Sequence, residues 1–74
     1  MTRLEIREKF TANGMHSMLS TVYPGRLYVV LGEGDVAVMG IPATEEELDH
    51  IIVLLKMGVV PGRRESVRGV KTSP

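Results

Sequence analysis

Hydrophobic and charged residues alternate near the start of the chain. Leu4, Ile6 and Phe10 are the apolar positions of residues 3 to 10, and every other residue in this segment is charged. A period of two is typical of a half-buried strand, whereas on a helix Leu4 and Ile6 would lie about 200° apart. The pattern predicts a strand over residues 3 to 10, and its charged outer face indicates a sheet edge.

The next segment has a helical spacing. After Asn13 and Gly14, apolar residues recur at intervals of three and four positions, at Met15, Met18, Leu19, Val22 and Tyr23. This spacing places them on one face of a short helix, which Pro24 and Gly25 would end. The opposite face carries no charge, which indicates a covered surface, and it consists of His16, Ser17, Ser20 and Thr21.

Two apolar runs around a glycine-rich tetrapeptide predict a β-hairpin. Residues 27 to 31 and 36 to 41 are rich in aliphatic side chains, and Gly32 to Asp35 separate them. Glycine supplies the positive φ angles of a tight turn. Both faces of the two runs are largely apolar, and one layer of helices covers only one of them. We therefore expect the second face to be covered as well.

A second helix is predicted after Pro42. Thr44 and Glu47 have the spacing of a capping box, and Gly58 is placed to end the helix. The core-facing stripe of this helix consists of Leu48, Ile51, Ile52 and Leu55. Its other side is also apolar in the last two turns, which is unusual for the surface of a monomer. We expect self-association, most simply a dimer, through this spare face and the second face of the hairpin; the spare face consists of His50, Val53, Leu54 and Met57.

These elements predict a small single α+β domain with the order strand, helix, strand, strand, helix. The domain spans residues 1 to 61. Residues 62 to 74 are polar and without periodicity, which predicts a flexible basic tail.

The size and composition of the chain support self-association. A chain of 74 residues has a small core, and natural domains of this size usually gain stability from disulfides, a metal or a partner subunit. The sequence contains no cysteine, which excludes disulfides and cysteine-based zinc sites. The absence of cysteine and of a leader-like start predicts a cytoplasmic protein. Residues 27 to 31, the longest nearly uncharged stretch, are too few to cross a bilayer.

Catalytic chemistry finds little support in the residues present. Glu33 and Asp35 could approach a cation, and Glu46 precedes His50 by one helical turn, but two ligands do not make a metal site. We interpret the acidic tetrapeptide as a hairpin turn and His50 as part of the subunit contact. His16 has no cysteine or recognisable triad spacing around it. We expect no catalytic residue, no metal and no cofactor.

Charge is distributed unevenly although the net charge is zero. Residues 27 to 55 carry six carboxylates and neither lysine nor arginine, whereas both ends of the chain are basic. Such asymmetry suits contacts between identical subunits as well as binding of an anionic partner. The residues expected to contact a ligand or partner are the uncharged Ser17, Ser20 and Thr21 with Arg26, and the basic Arg63, Arg64, Arg68 and Lys71.

The leading hypothesis for the function is a homo-oligomeric module that binds another protein and modulates or inhibits it. Short neutral chains without a catalytic motif are similar in type to the accessory inhibitors that phages and mobile elements often encode. One alternative is a protein that sequesters a small anionic ligand or nucleotide in a pocket between subunits. Another is a nucleic-acid-binding domain that uses the basic tail, although no aromatic residue is interleaved there to stack on bases.

Overall fold

A computed structural model of the chain describes residues 1 to 20 and 25 to 66. In chain order its helices and strands are α1 (Arg3–Ala12), β1 (Ser17–Leu19), β2 (Arg26–Val30), β3 (Asp35–Gly40), α2 (Glu45–Lys56) and β4 (Arg63–Ser66). The strands form one antiparallel sheet in the order β1-β2-β3-β4. The predicted α+β class is confirmed, and the order strand, helix, strand occurs as β3, α2, β4.

The first element is a helix, so the strand predicted over residues 3 to 10 is wrong. The side chain of Thr2 accepts a hydrogen bond from the Glu5 amide at 3.1 Å, and the Glu5 carboxylate accepts one from the Thr2 amide at 2.8 Å. These two bonds form a capping box, which favours a helix start. Ile6 and Phe10 lie one turn apart and are buried, whereas Leu4 is exposed. The pattern looks alternating because exposed Leu4 stands two positions before buried Ile6, although only Ile6 and Phe10 enter the core.

The helix predicted from residue 15 is also wrong for the described residues, because this segment continues into β1. Gly14 adopts a φ of 75°, and the amide of Met15 donates to the carbonyl of Phe10 at 2.9 Å. This arrangement is the Schellman motif, in which a left-handed glycine ends a helix. Residues 21 to 24 of the predicted helix lie outside the described residues.

The β-hairpin is confirmed. Strands β2 and β3 pair from Arg26 opposite Gly40 to Val30 opposite Val36. A single 3₁₀ turn at Gly32–Gly34 connects them, and Gly34 has a φ of 80°.

The second helix is confirmed as well. The Thr44 side chain accepts a hydrogen bond from the amide of Glu47 at 3.2 Å, which is half of the predicted capping box. The Glu47 carboxylate accepts its bond from the amide of Ala43 at 2.9 Å, one residue before the expected donor Thr44. At the other end Gly58 has a φ of 83°, and the Val59 amide closes a second Schellman motif.

No helix among the described residues is both long enough and apolar enough to cross a bilayer.

The core lies between the sheet and the two helices, which pack on the same sheet face. Alternate residues of β2 and β3 point into it, together with two side chains from each helix: Leu27, Val29, Ala37 and Met39, with Ile6, Phe10, Leu48 and Ile52. Neither helix packs on the opposite face of the hairpin, where Val38 is buried and Tyr28 and Val36 are half-buried. Cover of this face by a second subunit stays a prediction.

Part of the predicted flexible tail belongs to the sheet. Residues Arg63–Ser66 form β4, which pairs with β3 from Asp35 opposite Ser66 to Val38 opposite Arg63. The tail prediction is wrong for these four residues. Residues 67 to 74, with Arg68 and Lys71, lie outside the described part of the chain.

Candidate functional site

A groove of about 500 Å³ runs between the first helix and the first strand. We call it the α1–β1 groove, and its lining residues are Arg3, Leu4 and Arg7 from α1 and Ser17, Met18 and Leu19 from β1. The helix is held beside the strand because Ile6 and Phe10 anchor it to the core.

The strand side of this groove presents unpaired backbone groups. The amide of Val30 donates to the carbonyl of His16 at 2.8 Å, and the amide of Ser20 donates to the carbonyl of Arg26 at 3.2 Å. In an antiparallel pair the residues that bond the neighbouring strand alternate with residues that do not. The backbone N–H and C=O groups of Ser17 and Leu19 therefore point to the free edge of β1, where no strand of the described chain pairs.

The side chains around the groove are basic and apolar. Leu4 and Met18 are 64% and 65% exposed, which is high for such large hydrophobic residues. Arg3 and Arg7 are exposed, and neither is within ion-pair distance of a carboxylate among the described side chains. The groove thus combines backbone hydrogen-bonding groups, apolar contact area and uncompensated positive charge.

A second concave surface lies on the open face of the sheet. Arg26 lies opposite Gly40 in the register, and Val38 lies opposite Arg63. Because Gly40 has no side chain, a hollow of about 330 Å³ remains between the two arginines. We call it the Arg26–Arg63 hollow, and Pro61 and the backbone of Gly62 complete its wall.

The residues predicted to form the oligomer contact lie on the outer side of α2. His50, Val53 and Met57 are exposed, and Leu54 is half-buried. Because Ile52 of the same helix is buried in the core, this stripe faces away from the sheet. The open face of the hairpin lies on the other side of the core. The two surfaces lie on opposite sides of the subunit and cannot share one twofold interface, which uses a single patch of each copy. Self-association through them stays a prediction.

The residues predicted to contact a ligand are divided among different places. Ser17 lines the α1–β1 groove, and Arg26 and Arg63 flank the hollow. Ser20 follows the last residue of β1 and is half-buried, while Arg64 lies near Asp35, with an Nη1 to Oδ2 distance of 3.4 Å. Thr21 lies outside the described residues, as do Arg68 and Lys71. Ser17 belongs to a strand, so the described residues of this set do not form the uncharged helix face that the spacing predicts.

Sequence reasoning missed the arginines of the groove. The alternating pattern places Arg3 and Arg7 on the solvent face of a strand, whereas they lie four positions apart on one face of α1. The spacing of Thr2 and Glu5 was the signal that could have identified the helix, because a threonine followed three positions later by glutamate is typical of a helix start.

The described side chains contain no group of three or more histidine, aspartate or glutamate residues placed to hold a metal ion. His16 and His50 are exposed. Lys9 pairs with two carboxylates at the start of α2, those of Glu45 and Asp49. The hydrogen bond to Asp49 is the largest cause of the raised pKa of Lys9, and the bond to Glu45 is the second. The acidic start of α2 is therefore partly neutralised within the chain.

Comparison of the chain with protein-family models, with curated proteins and with solved structures gives no match.

Proposed function

We propose that this protein is a protein-binding module whose α1–β1 groove takes up an extended, acidic segment of a partner as an additional strand beside β1. The observation that carries the proposal is the free edge of β1. Ser17 and Leu19 offer two N–H and two C=O groups to a further strand. Addition of a peptide strand to a sheet edge gives affinity through main-chain hydrogen bonds, while the flanking side chains give specificity.

The flanking side chains define the chemistry of the partner segment. Arg3 and Arg7 would face carboxylates of the added strand, and such pairs gain from the bidentate geometry of arginine. Met18 lies on the sheet face opposite α1, so it would contact an apolar side chain on the residue between those carboxylates, while Leu4 adds apolar contact beside the arginines. The expected segment is therefore short and extended, with an apolar residue between acidic ones.

A second copy of the chain is a poorer occupant of this edge. Pairing of β1 with β1 of another copy would place Arg3 and Arg7 of both chains along the same seam. Like charges in close contact disfavour such pairing, which is a common way to protect an exposed sheet edge. Charge at the groove therefore favours a foreign acidic segment.

In this proposal the protein modulates its partner by holding a segment that the partner needs elsewhere. The cytoplasm is the proposed location. Self-association through the outer stripe of α2 is compatible with this role, because that stripe lies apart from the groove and would leave β1 accessible. A dimer would present two grooves and bind a multivalent partner more tightly than a single chain would.

Nucleic-acid binding through the basic segment has less support. Within the described part of this segment Arg63 is paired with Glu65 and Arg64 with Asp35. Each guanidinium group has a carboxylate beside it, so this segment by itself, without Arg26, presents little net positive charge to a phosphate backbone.

A peptide-display selection tests the proposed groove. A random peptide library is selected on the immobilised protein, and binding of the enriched peptides is then measured by fluorescence anisotropy. We expect enrichment of peptides with acidic residues next to an apolar one. Hydrogen exchange in the complex should slow at the amides of Ser17 and Leu19, because these amides become bonded to the peptide.

Two substitutions at position 17 separate backbone pairing from side-chain contact. Ser17→Pro removes an outward N–H while leaving the bonds from β1 to β2, and proline is tolerated on the solvent side of an edge strand. Ser17→Ala keeps the N–H and is the matched control. We expect Ser17→Pro and Arg7→Glu each to weaken peptide binding at least about tenfold, while Ser17→Ala and Lys56→Glu leave it nearly unchanged. Equal binding by Ser17→Pro and the wild type would overturn the proposal.

A further inference from the structure

The Arg26–Arg63 hollow carries uncompensated positive charge. The Arg26 guanidinium has no carboxylate within ion-pair distance among the described side chains. Arg63 donates one terminal N–H group to Glu65, which leaves its other terminal nitrogen and Nε available. None of the residues that line the hollow is acidic. Two arginines and one neighbouring carboxylate give this part of the sheet a net positive charge, which attracts anions.

The position of Arg63 is set by close packing of the two strands. A Cβ atom at Gly62 would lie 2.1 Å from the carbonyl oxygen of Val38, so only glycine allows β4 to begin this close to β3. The next residue is then paired opposite Val38. The backbone of Gly62 forms one wall of the hollow, and the same approach brings Arg63 to its rim.

An aromatic side chain lies beside the hollow on the same face. Tyr28 pairs with Met18 on one side and with Val38 on the other, and Val38 in turn pairs with Arg63. Tyr28 also follows Arg26 by two positions on β2, about 7 Å along the strand. The open face thus places an aromatic ring two positions along β2 from Arg26 and, across Val38, two strands from Arg63.

We infer that this face binds a nucleotide unit, with its phosphate in the Arg26–Arg63 hollow and its base stacked on the ring of Tyr28. The forked guanidinium group matches the geometry of phosphate oxygens. Aromatic residues on an open four-stranded sheet stack on bases without requiring a fixed sequence. An acidic peptide would use the arginines but would leave the ring of Tyr28 without a stacking partner. The chemistry is common to a free nucleotide and to one unit of a single strand.

Fluorescence anisotropy with two probes tests this site on the full chain. The probes are a fluorescently labelled adenosine monophosphate and a labelled oligothymidylate, with inorganic phosphate as competitor. We expect saturable binding that weakens with salt and displacement by phosphate. A higher affinity for the oligothymidylate identifies a single strand as the source of the nucleotide, and equal affinity identifies a free nucleotide. In amide spectra the signals of Gly40 and Gly62 should shift during the titration.

Substitutions on the two faces of the sheet decide the assignment. Arg26→Gln should weaken binding about tenfold. It should also reduce the slope of log affinity against log salt concentration by about one. Tyr28→Leu should weaken binding at least about fivefold, and Tyr28→Phe should retain it, because stacking needs the ring alone. Arg64→Gln, on the same strand as Arg63 but outside the hollow, is the matched control and should bind like the wild type. If the wild type binds neither probe, or if Arg26→Gln keeps the wild-type affinity and salt slope, the inference is wrong.

Discussion

The Nζ atom of Lys9 on α1 lies 2.7 Å from the Oδ1 atom of Asp49 on α2. The same ammonium group lies 2.8 Å from the Oε1 atom of Glu45, so one lysine joins two carboxylates at the start of the second helix. The two helices are thereby connected above a core to which each contributes only two buried side chains. This link also holds α1 in place as one wall of the α1–β1 groove.

Replacing Lys9 by methionine should lower the free energy of unfolding at neutral pH. The carboxylates raise the pKa of Lys9 in the folded chain, so its contribution is complete below the ordinary lysine value of about 10.4 and is lost as the pH rises through the folded value. The difference between wild type and Lys9→Met should therefore be present at pH 7 and shrink above about pH 10.4. Urea unfolding of the two proteins, at pH 7 and at a pH above about 10.4, measures this difference. Lys56→Met is the control, and a Lys9→Met effect that did not change with pH would contradict the ion-pair explanation.

Alanine substitutions distinguish the observed helix from the strand that the alternating pattern predicted. On a strand Leu4 and Ile6 would be equivalent, whereas on α1 only Ile6 enters the core. We expect Ile6→Ala to cost about 2 to 5 kcal/mol of unfolding free energy and Leu4→Ala to change it by no more than about 0.5 kcal/mol. Chemical denaturation provides both values. Equal losses at the two positions would mean that residues 3 to 10 are not helical.

The parts of the fold that the sequence predicted correctly depend on short-range signals. The hairpin follows from two aliphatic runs around Gly32 to Asp35, and α2 follows from its cap at Thr44 and its glycine stop at Gly58. Each of these signals lies within or directly beside the element that it predicts. Together they were enough for the α+β class and for two of the core strands.

The first two elements differ from their predictions for two reasons. The start of α1 at Thr2 and Glu5 is a local signal that the alternation over residues 3 to 10 masks, whereas β1 depends on long-range pairing. The segment around Met18 has a helical spacing, but its pairing with Tyr28 on β2 makes it a strand. Strand β4 is short, polar and mostly exposed, so only its pairing with β3 reveals it. The α1–β1 groove lies between the two misassigned elements, which is why Arg3, Arg7 and the free edge at Ser17 could not be combined into a site from the sequence.

Gly62→Ala should destabilise the chain and loosen β4. The added methyl group would overlap the carbonyl oxygen of Val38, which belongs to the backbone and cannot rotate away. Overpacking of this kind typically costs about 1 to 3 kcal/mol. Gly32→Ala is the matched control, because nothing lies within 4 Å of a Cβ at that position. Urea unfolding measures the two effects, and hydrogen exchange at the β4 amides should rise in Gly62→Ala alone; similar behaviour of the two variants would contradict the close packing of β4 on β3.

Two valines of equal exposure on opposite sides of the core test the predicted self-association. Val53 on the outer stripe of α2 is 52% exposed, and Val30 on the open sheet face is 53% exposed. A glutamate in a dry contact between subunits would have to be desolvated without a partner, so Val53→Glu should shift the protein toward monomer and weaken association at least about tenfold. Val30→Glu introduces the same charge into a surface that the α2 contact does not use, and it should associate like the wild type. Val53 is a better position for this test than Leu54, because Leu54 is half-buried and its substitution would also disturb the subunit.

Sedimentation velocity over a wide concentration range measures association of the wild type, Val53→Glu and Val30→Glu. The outer stripe of α2 is not an interface if the wild type stays monomeric at high concentration, or if Val53→Glu associates as strongly as the wild type. A loss of association in Val30→Glu alone would assign the contact to the open face of the sheet.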